Sequence, residues 1–214
     1  NIAAGTYYEH DLNPNGKTIT IQGTVNGDGS LATTIDGNQQ GSVIHVPNGN
    51  GLEFTIRNLV ITGGTGSENS DIGFGPHGGG MLLLECSPRI EGCRIVSNST
   101  LQGIGAGIHV HNGNPTITDC EFSSNIALYR RGGGIALYHC NASISNCRIF
   151  DNSSDSGSGI LLSNTNCTLM NVEIFENESY YSGGGVQTSW AGNLVISGGS
   201  ICGNTPDQID NFNP

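Results

Sequence analysis

Gly105-Ala-Gly-Ile-His-Val-His-Asn-Gly-Asn-Pro-Thr-Ile-Thr-Asp-Cys-Glu-Phe-Ser-Ser-Asn125 is followed by Gly132-Gly-Gly-Ile-Ala-Leu-Tyr-His-Cys-Asn-Ala-Ser-Ile-Ser-Asn-Cys-Arg-Ile-Phe-Asp-Asn152. Both stretches open on a small-residue block ending in an apolar residue, and both close on asparagine. The same frame recurs along the second half of the chain. The blocks are Gly78-Gly-Gly-Met81, Gly105-Ala-Gly-Ile108, Gly132-Gly-Gly-Ile135, Gly157-Ser-Gly-Ile160 and Gly183-Gly-Gly-Val186. The asparagines are Asn98, Asn125, Asn152, Asn177 and Asn204, spaced 27, 27, 25 and 27 residues apart. A period of this size marks a solenoid or an array.

Each unit carries two apolar alternations. One follows the glycines, as in Ile108-His-Val110, Ile135-Ala-Leu137 and Ile160-Leu-Leu162. The other runs Ile90..Cys93-Arg-Ile95, Ile117..Cys120-Glu-Phe122, Ile144..Cys147-Arg-Ile149 and Leu169..Val172-Glu-Ile174. Alternation is strand periodicity with one face buried, and no segment shows a sustained helical stripe. A leucine-rich repeat has a similar period, but leucine does not recur here. Glycine, isoleucine, cysteine and asparagine do. Short strands joined by glycine and asparagine turns suit coils that stack parallel strands on their neighbours. The sequence therefore predicts an all-β chain: a single-stranded right-handed parallel β-helix of about eight coils over 214 residues.

Strands about 4.8 Å apart turn like residues of successive coils into vertical columns. Asn98, Asn125, Asn152, Asn177 and Asn204 are expected to form an inward amide ladder, each donating to the next. Cys93, Cys120 and Cys147 are expected to stack as buried thiols continued by Val172. Arg94, Glu121, Arg148 and Glu173 follow that column and alternate in sign, which yields cross-strand ion pairs of about 0.2–1 kcal/mol each.

Residues 1–214 read as one domain. Residues 1–64 hold irregular first coils, with strands at Thr18-Ile-Thr-Ile-Gln22, Thr34-Ile-Asp36 and Val43-Ile-His-Val46. Ile56, Leu59 and Ile61 take the places of Ile90, Cys93 and Ile95, and Gly64 replaces the ladder asparagine. Residues 65–78 form an inserted loop, read as an inert bulge. Regular repeats span 79–204, and 205–214 reads as a tail leaving the last coil. Asn1-Ile-Ala-Ala-Gly-Thr-Tyr-Tyr8 reads as the middle of a first coil, which leads us to expect processing, trimming or a missing neighbouring region.

The net charge of −11 with only seven Lys and Arg argues against nucleic acid and anionic membranes. No apolar run is long enough for a transmembrane helix. Low charge, a single lysine and abundant Asn, Ser, Thr and Gly point to the extracellular space or a bacterial cell surface. The seven cysteines form no tidy disulfide framework. Cys86 and Cys140 are equivalent two coils apart, too far to bridge. Cys140 and Cys167, on adjacent coils, are a candidate pair, and Cys202 has no evident partner.

Phe122-Ser-Ser-Asn125 and the glycine blocks resemble the paired FxxN and GGA[ILV] motifs of chlamydial polymorphic outer-membrane proteins over about residues 78–204. Here the block is usually GGG or GxG, and only the second repeat keeps the aromatic of FxxN. Ala4-Gly-Thr-Tyr-Tyr-Glu9 followed by Lys17-Thr-Ile-Thr-Ile-Gln-Gly23 resembles the opening coils of pectin-lyase-like proteins. The first resemblance implies surface display and adhesion. The second implies a right-handed β-helix and often polysaccharide chemistry.

The paired aspartates, Gly-His-Gly and Arg-x-Lys of pectin-degrading hydrolases are absent from the sequence. Asp119, Glu121 and Arg148 are expected to approach one another, but the charge column accounts for two of them. No residue is assigned a catalytic role, and nothing calls for a metal or cofactor. His109 and His111, two apart on one strand, are expected to face outward, with Tyr138 above His111 and His139 following. That spacing suits a metal, yet no third ligand is evident. Phe150 and Phe175 are expected to stack as an outward aromatic platform, exposed to a ligand or covering each other. Asn98, Asn141, Asn152, Asn166 and Asn177 lie in glycosylation sequons, of which only Asn141 and Asn166 fall off the inward ladder.

The leading expectation is a non-catalytic surface or extracellular repeat domain in adhesion or structural assembly. Its partners would be a carbohydrate or cell-surface ligand, or a second copy added end to end as a fibre through unpaired strand edges. The alternative is a lyase or glycoside hydrolase acting on acidic polysaccharide.

Overall fold

The computed structural model describes residues 1–190 and 192–212. Every described element is a strand, and nearly all pair in parallel. One coil runs through Met81–Leu84, Arg89–Glu91, Arg94–Val96 and Ser99–Leu101, and the next begins at Ile108–His111. Ile108 pairs with Met81 below and Ile135 above. Ile90, Ile117 and Ile144 stack likewise, as do Ile95, Phe122 and Ile149. The 27-residue repeat is thus one turn of a parallel β-solenoid. Among the described residues no helix is long and apolar enough to cross a membrane.

The columns generate the core. Ile56, Ile90, Ile117, Ile144 and Leu169 are sealed inside, facing Met81, Ile108, Ile135, Ile160 and Val186. Corners between strands are turned by single residues in the left-handed region. Asn58, Gly92, Asp119, Asn146 and Asn171 hold one such corner at φ between 51° and 58°. Glycine, asparagine and aspartate reach this region most cheaply, which explains their abundance.

The inward amide ladder is continuous. Asn98 Nδ2 donates to Asn125 Oδ1 at 3.1 Å, and the steps to Asn152, Asn177 and Asn204 are each 2.9 Å. Each Oδ1 also accepts the backbone N–H of the asparagine below, and each Nδ2 reaches carbonyls such as Phe122 O. Gly64 N–H donates to Asn98 Oδ1 at one end, and Gln208 Oε1 accepts from Asn204 at the other. The third small residue of each block must be glycine, because a Cβ on Gly107 would sit 2.3 Å from Gly134 O and 3.2 Å from the Asn125 amide.

Cys93, Cys120 and Cys147 stack as expected, each lower backbone N–H 3.4 Å from the next sulfur. The charge column pairs Arg94 with Glu121 at 3.0 Å and Arg148 with Glu173 at 3.3 Å. Both pairs are solvent-exposed and add little.

Two readings are revised. Cys140 and Cys167 form no bridge, and all seven cysteines are free. Cys167 lies opposite Ala142, and it is Thr165 whose hydroxyl meets Cys140 N–H. The segment read as a tail instead adds the strand Ile209–Phe212 to the sheet of Met81–Leu84, pairing with Val186–Ser189. Residues 213–214 of that segment lie outside the described residues. In the 65–78 loop, Ser67–Glu68 and Pro76–His77 pair antiparallel, and Ser67 and His77 bond back to Ser42.

Replacing Asn152 by Ala strands the amide and N–H of Asn125, and we expect a loss of about 2–4 kcal/mol in denaturant titration. Asn141 belongs to an exposed amide row with Asn114 and Asn166. Its replacement by Ala is expected to cost about 0.5 kcal/mol or less. Equal losses at the two positions would refute the ladder's role. Burial pushes the thiols of Cys86 and Cys167 up to about 12 and Cys140 up to about 11. Cys202 is the exposed thiol. A thiol reagent should therefore label Cys202 alone in the native protein and all seven cysteines in denaturant.

Candidate functional site

The strands Met81–Leu84, Ile108–His111, Ile135–Tyr138, Ile160–Ser163 and Val186–Ser189 carry one outward column of Leu82, His109, Ala136, Leu161 and Gln187. Outward does not mean exposed here. After each ladder asparagine from Asn98 to Asn177 the chain makes a short lobe, and the first glycine of the next small-residue block returns onto this column. A Cβ on Gly105, at φ +73°, would lie 2.8 Å from the Cβ of His109. The lobe therefore roofs the column, and all five side chains are buried.

This corrects the expectation for His109, which is 1% exposed rather than a surface contact. Alternation tells which way a side chain leaves its own sheet. It does not tell what later folds over it.

His77, from the inserted hairpin, packs its ring 5.4 Å from that of His109. The insertion is thus part of the roof. His109 also meets Tyr138 at 5.3 Å and His111 at 6.1 Å. His111 and Tyr138 stack at 6.0 Å with planes 8° apart, as the register predicts, and His139 lies 5.4 Å from His111. Ile104 N–H donates to His77 Nδ1, which places the His77 proton on Nε2. That Nε2 and both nitrogens of His109 are buried without a partner. Burial holds His109 well below the usual histidine range and lowers His77 and His111 as well. Burial thus favours the neutral form of His77, His109 and His111.

Phe150 and Phe175 stack at 5.0 Å with planes 5° apart. The Arg148 guanidinium lies 5.0 and 5.3 Å from their centroids. This half-buried column covers itself and is capped by a cation. Asp119, Glu121 and Arg148 do line one groove, together with Arg94 and Asn146. Each carboxylate is already engaged: Glu121 by Arg94, and Asp119 by the Asn146 amide. Among the described residues no group of three or more His, Cys, Asp or Glu is placed to hold a metal.

Reading strand faces missed the lobe. Leu101, Ile126, Leu128, Tyr129, Tyr180 and Tyr181 are all exposed there, on the strands Ser99–Leu101, Ile126–Arg131 and Glu178–Ser182. The usable signal was the variable stretch between ladder asparagine and glycine block, where large apolar residues recur without alternation.

A family model described as a right handed beta helix region matches residues 13–153 and, in a second overlapping alignment, residues 42–211. The chain belongs to this right-handed β-helix family. No curated protein and no solved structure gives a match. Within this β-helix the stacked coils and the handedness expected from the sequence stand.

His109 offers a direct test. Leu82 and Leu161 fill the same column, so His109→Leu should stabilise the protein by about 1–2 kcal/mol at pH 7, removing a buried unpaired ring. The unfolded histidine gains a proton below about pH 6.5, and the buried one does not. Native stability must then fall as pH drops through 6.5. Between pH 7 and 5 the wild type should lose about 2 kcal/mol more than His109→Leu. Parallel pH profiles in thermal or urea unfolding would contradict this.

Proposed function

We propose that this β-helix is a non-catalytic repeat domain of an extracellular or cell-surface protein, acting in adhesion or structural assembly. The carrying observation is the lobe face, where Leu101, Ile126 and Leu128 are 56%, 42% and 48% exposed on adjacent rungs. Apolar side chains aligned on one face of a glycine- and asparagine-rich solenoid mark a contact surface. The stacked coils beneath hold that surface rigid, so little conformational entropy is lost on contact. The engagement of Asp119 and Glu121 by neighbours supports binding over chemistry. So does the resemblance of the repeats to those of polymorphic outer-membrane proteins.

End-to-end association is a second mode with its own observation. On the last described rung, Ile196 and Ile209 continue interior columns yet are 44% and 41% exposed. Among the described residues the strand Leu194–Cys202 pairs with Asn166–Phe175 alone, which leaves its other edge without a partner there. A further coil of the same protein or a second copy would cover both.

The chain should bind immobilised cell-surface material or glycans, and Leu128→Ser should weaken binding about tenfold, as loss of a central apolar contact does. Depolymerisation of acidic polysaccharide, abolished by Asp119→Asn or Arg148→Gln, would instead establish the lyase or hydrolase reading. Light scattering and electron microscopy decide the second mode, since a strict monomer removes it.

A further inference from the structure

The asparagine spacing drops from 27 to 25 at one step, and the two missing residues come out of a lobe. Gly132 follows Asn125 by seven residues, Gly157 follows Asn152 by five, and Gly183 follows Asn177 by six. Pairing between lobe strands breaks register accordingly. Ala127 pairs with Ser154, but Arg131 pairs with Ser156, so Leu128, Tyr129 and Arg130 stand against Asp155 alone. On the other side Ser179 pairs with Ser154 and Ser182 with Ser156, which sets Tyr180 and Tyr181 against the same Asp155. A short rung between two longer ones is a notch. It forms a cleft of about 490 Å³, with Asp155 and Ser156 on the short rung and Tyr129, Arg130, Arg131 and Tyr181 on the long ones.

The walls are built for contact. Tyr129 and Tyr181 are 69% and 67% exposed, and Tyr180 packs edge-on against Tyr181 at 4.7 Å. Tyr129 holds φ +63°, a conformation that bulky residues rarely adopt and that collects at binding sites. The arginines are set apart by what they lack. Arg57 bonds to Gln22, Arg89 to Glu91, Arg94 to Glu121 and Arg148 to Glu173. Among the described residues, Arg130 and Arg131 bond to no protein acceptor and join no ion pair. In a chain of net charge −11, two adjacent unengaged guanidinium groups between tyrosines form a local inversion of sign.

We propose that this notch binds an anionic sugar unit of an extended glycan. Tyrosine rings offer flat apolar faces with a polar tip, suited to the C–H face of a pyranose ring. Guanidinium groups take carboxylate or sulfate through paired N–H donors. Ser156 and Asp155 supply a hydroxyl and an acceptor for sugar hydroxyls. The proposal rests on the display reading above and deepens it by naming a ligand class for one part of the lobe face.

The test uses isothermal titration of the whole chain with three probes of equal length: an oligogalacturonide, a sulfated glycosaminoglycan oligosaccharide and a neutral cello-oligosaccharide. We expect one or both anionic sugars to bind, the neutral one to bind at least about tenfold more weakly, and added salt to weaken binding. The two anionic arms separate a carboxylated from a sulfated ligand. Arg130→Gln/Arg131→Gln should reduce affinity about tenfold or more, and Arg89→Gln should leave it unchanged. Inserting Gly-Ser after Asp155 restores the 27-residue spacing and should abolish binding by filling the notch, with circular dichroism confirming that the coil persists. Undiminished affinity after either change, failure of both anionic sugars to bind, or equal affinity for poly-glutamate overturns the proposal. If the wild type binds surface material but neither anionic oligosaccharide, and surface-material binding persists in Arg130→Gln/Arg131→Gln, the notch fails and the display reading stands. Loss of both in the wild type removes both.

Discussion

The amide ladder at the inward corner is the constraint on which the rest of the molecule depends. A coil that turns inward there buries backbone groups that no strand can pair. Asparagine answers with a side chain that copies the peptide, one acceptor and a two-hydrogen donor at the right reach. Each rung satisfies the one below and relies on the one above. The arrangement is closed at one end by the Gly64 N–H and at the other by Gln208.

Vertical registry follows, and with it the composition. The interior columns need apolar residues of similar volume on every rung, and isoleucine, leucine and valine fill them. The corners need left-handed residues, and the glycine blocks need room beside the ladder amide. These demands leave few positions for charge, and Arg94 and Arg148 are paired with glutamates one rung away. The repeat tolerates length variation in the lobe, because nothing in the ladder or the core passes through it. Loss of two residues after Asn152 changes the outline of the protein without disturbing the columns beneath.

The lobe also creates a second, thinner interior. Leu82, Ala136 and Leu161 suit that space, whereas His109 leaves two ring nitrogens without partners. A neutral imidazole there is tolerated near neutral pH and becomes a liability in acid. His77 reaches the same space from the inserted hairpin, so the insertion and the roof share one packing unit.

The period, the alternation and the small-residue blocks were enough to determine the solenoid, the asparagine and cysteine columns, the Arg94–Glu121 and Arg148–Glu173 pairs, and the stacking of Phe150 on Phe175 and His111 on Tyr138. All of these are contacts between like positions one period apart, and a period can be counted. The burial of His109, the strand at Ile209–Phe212 and the meeting of Tyr129, Arg131 and Tyr181 across a shortened rung needed the tertiary structure. They depend on where a lobe of variable length folds back, and no repeat in the chain encodes that path. Alternation assigns a side chain to one side of its own strand. Only the folded chain decides whether water or a neighbouring segment waits on that side.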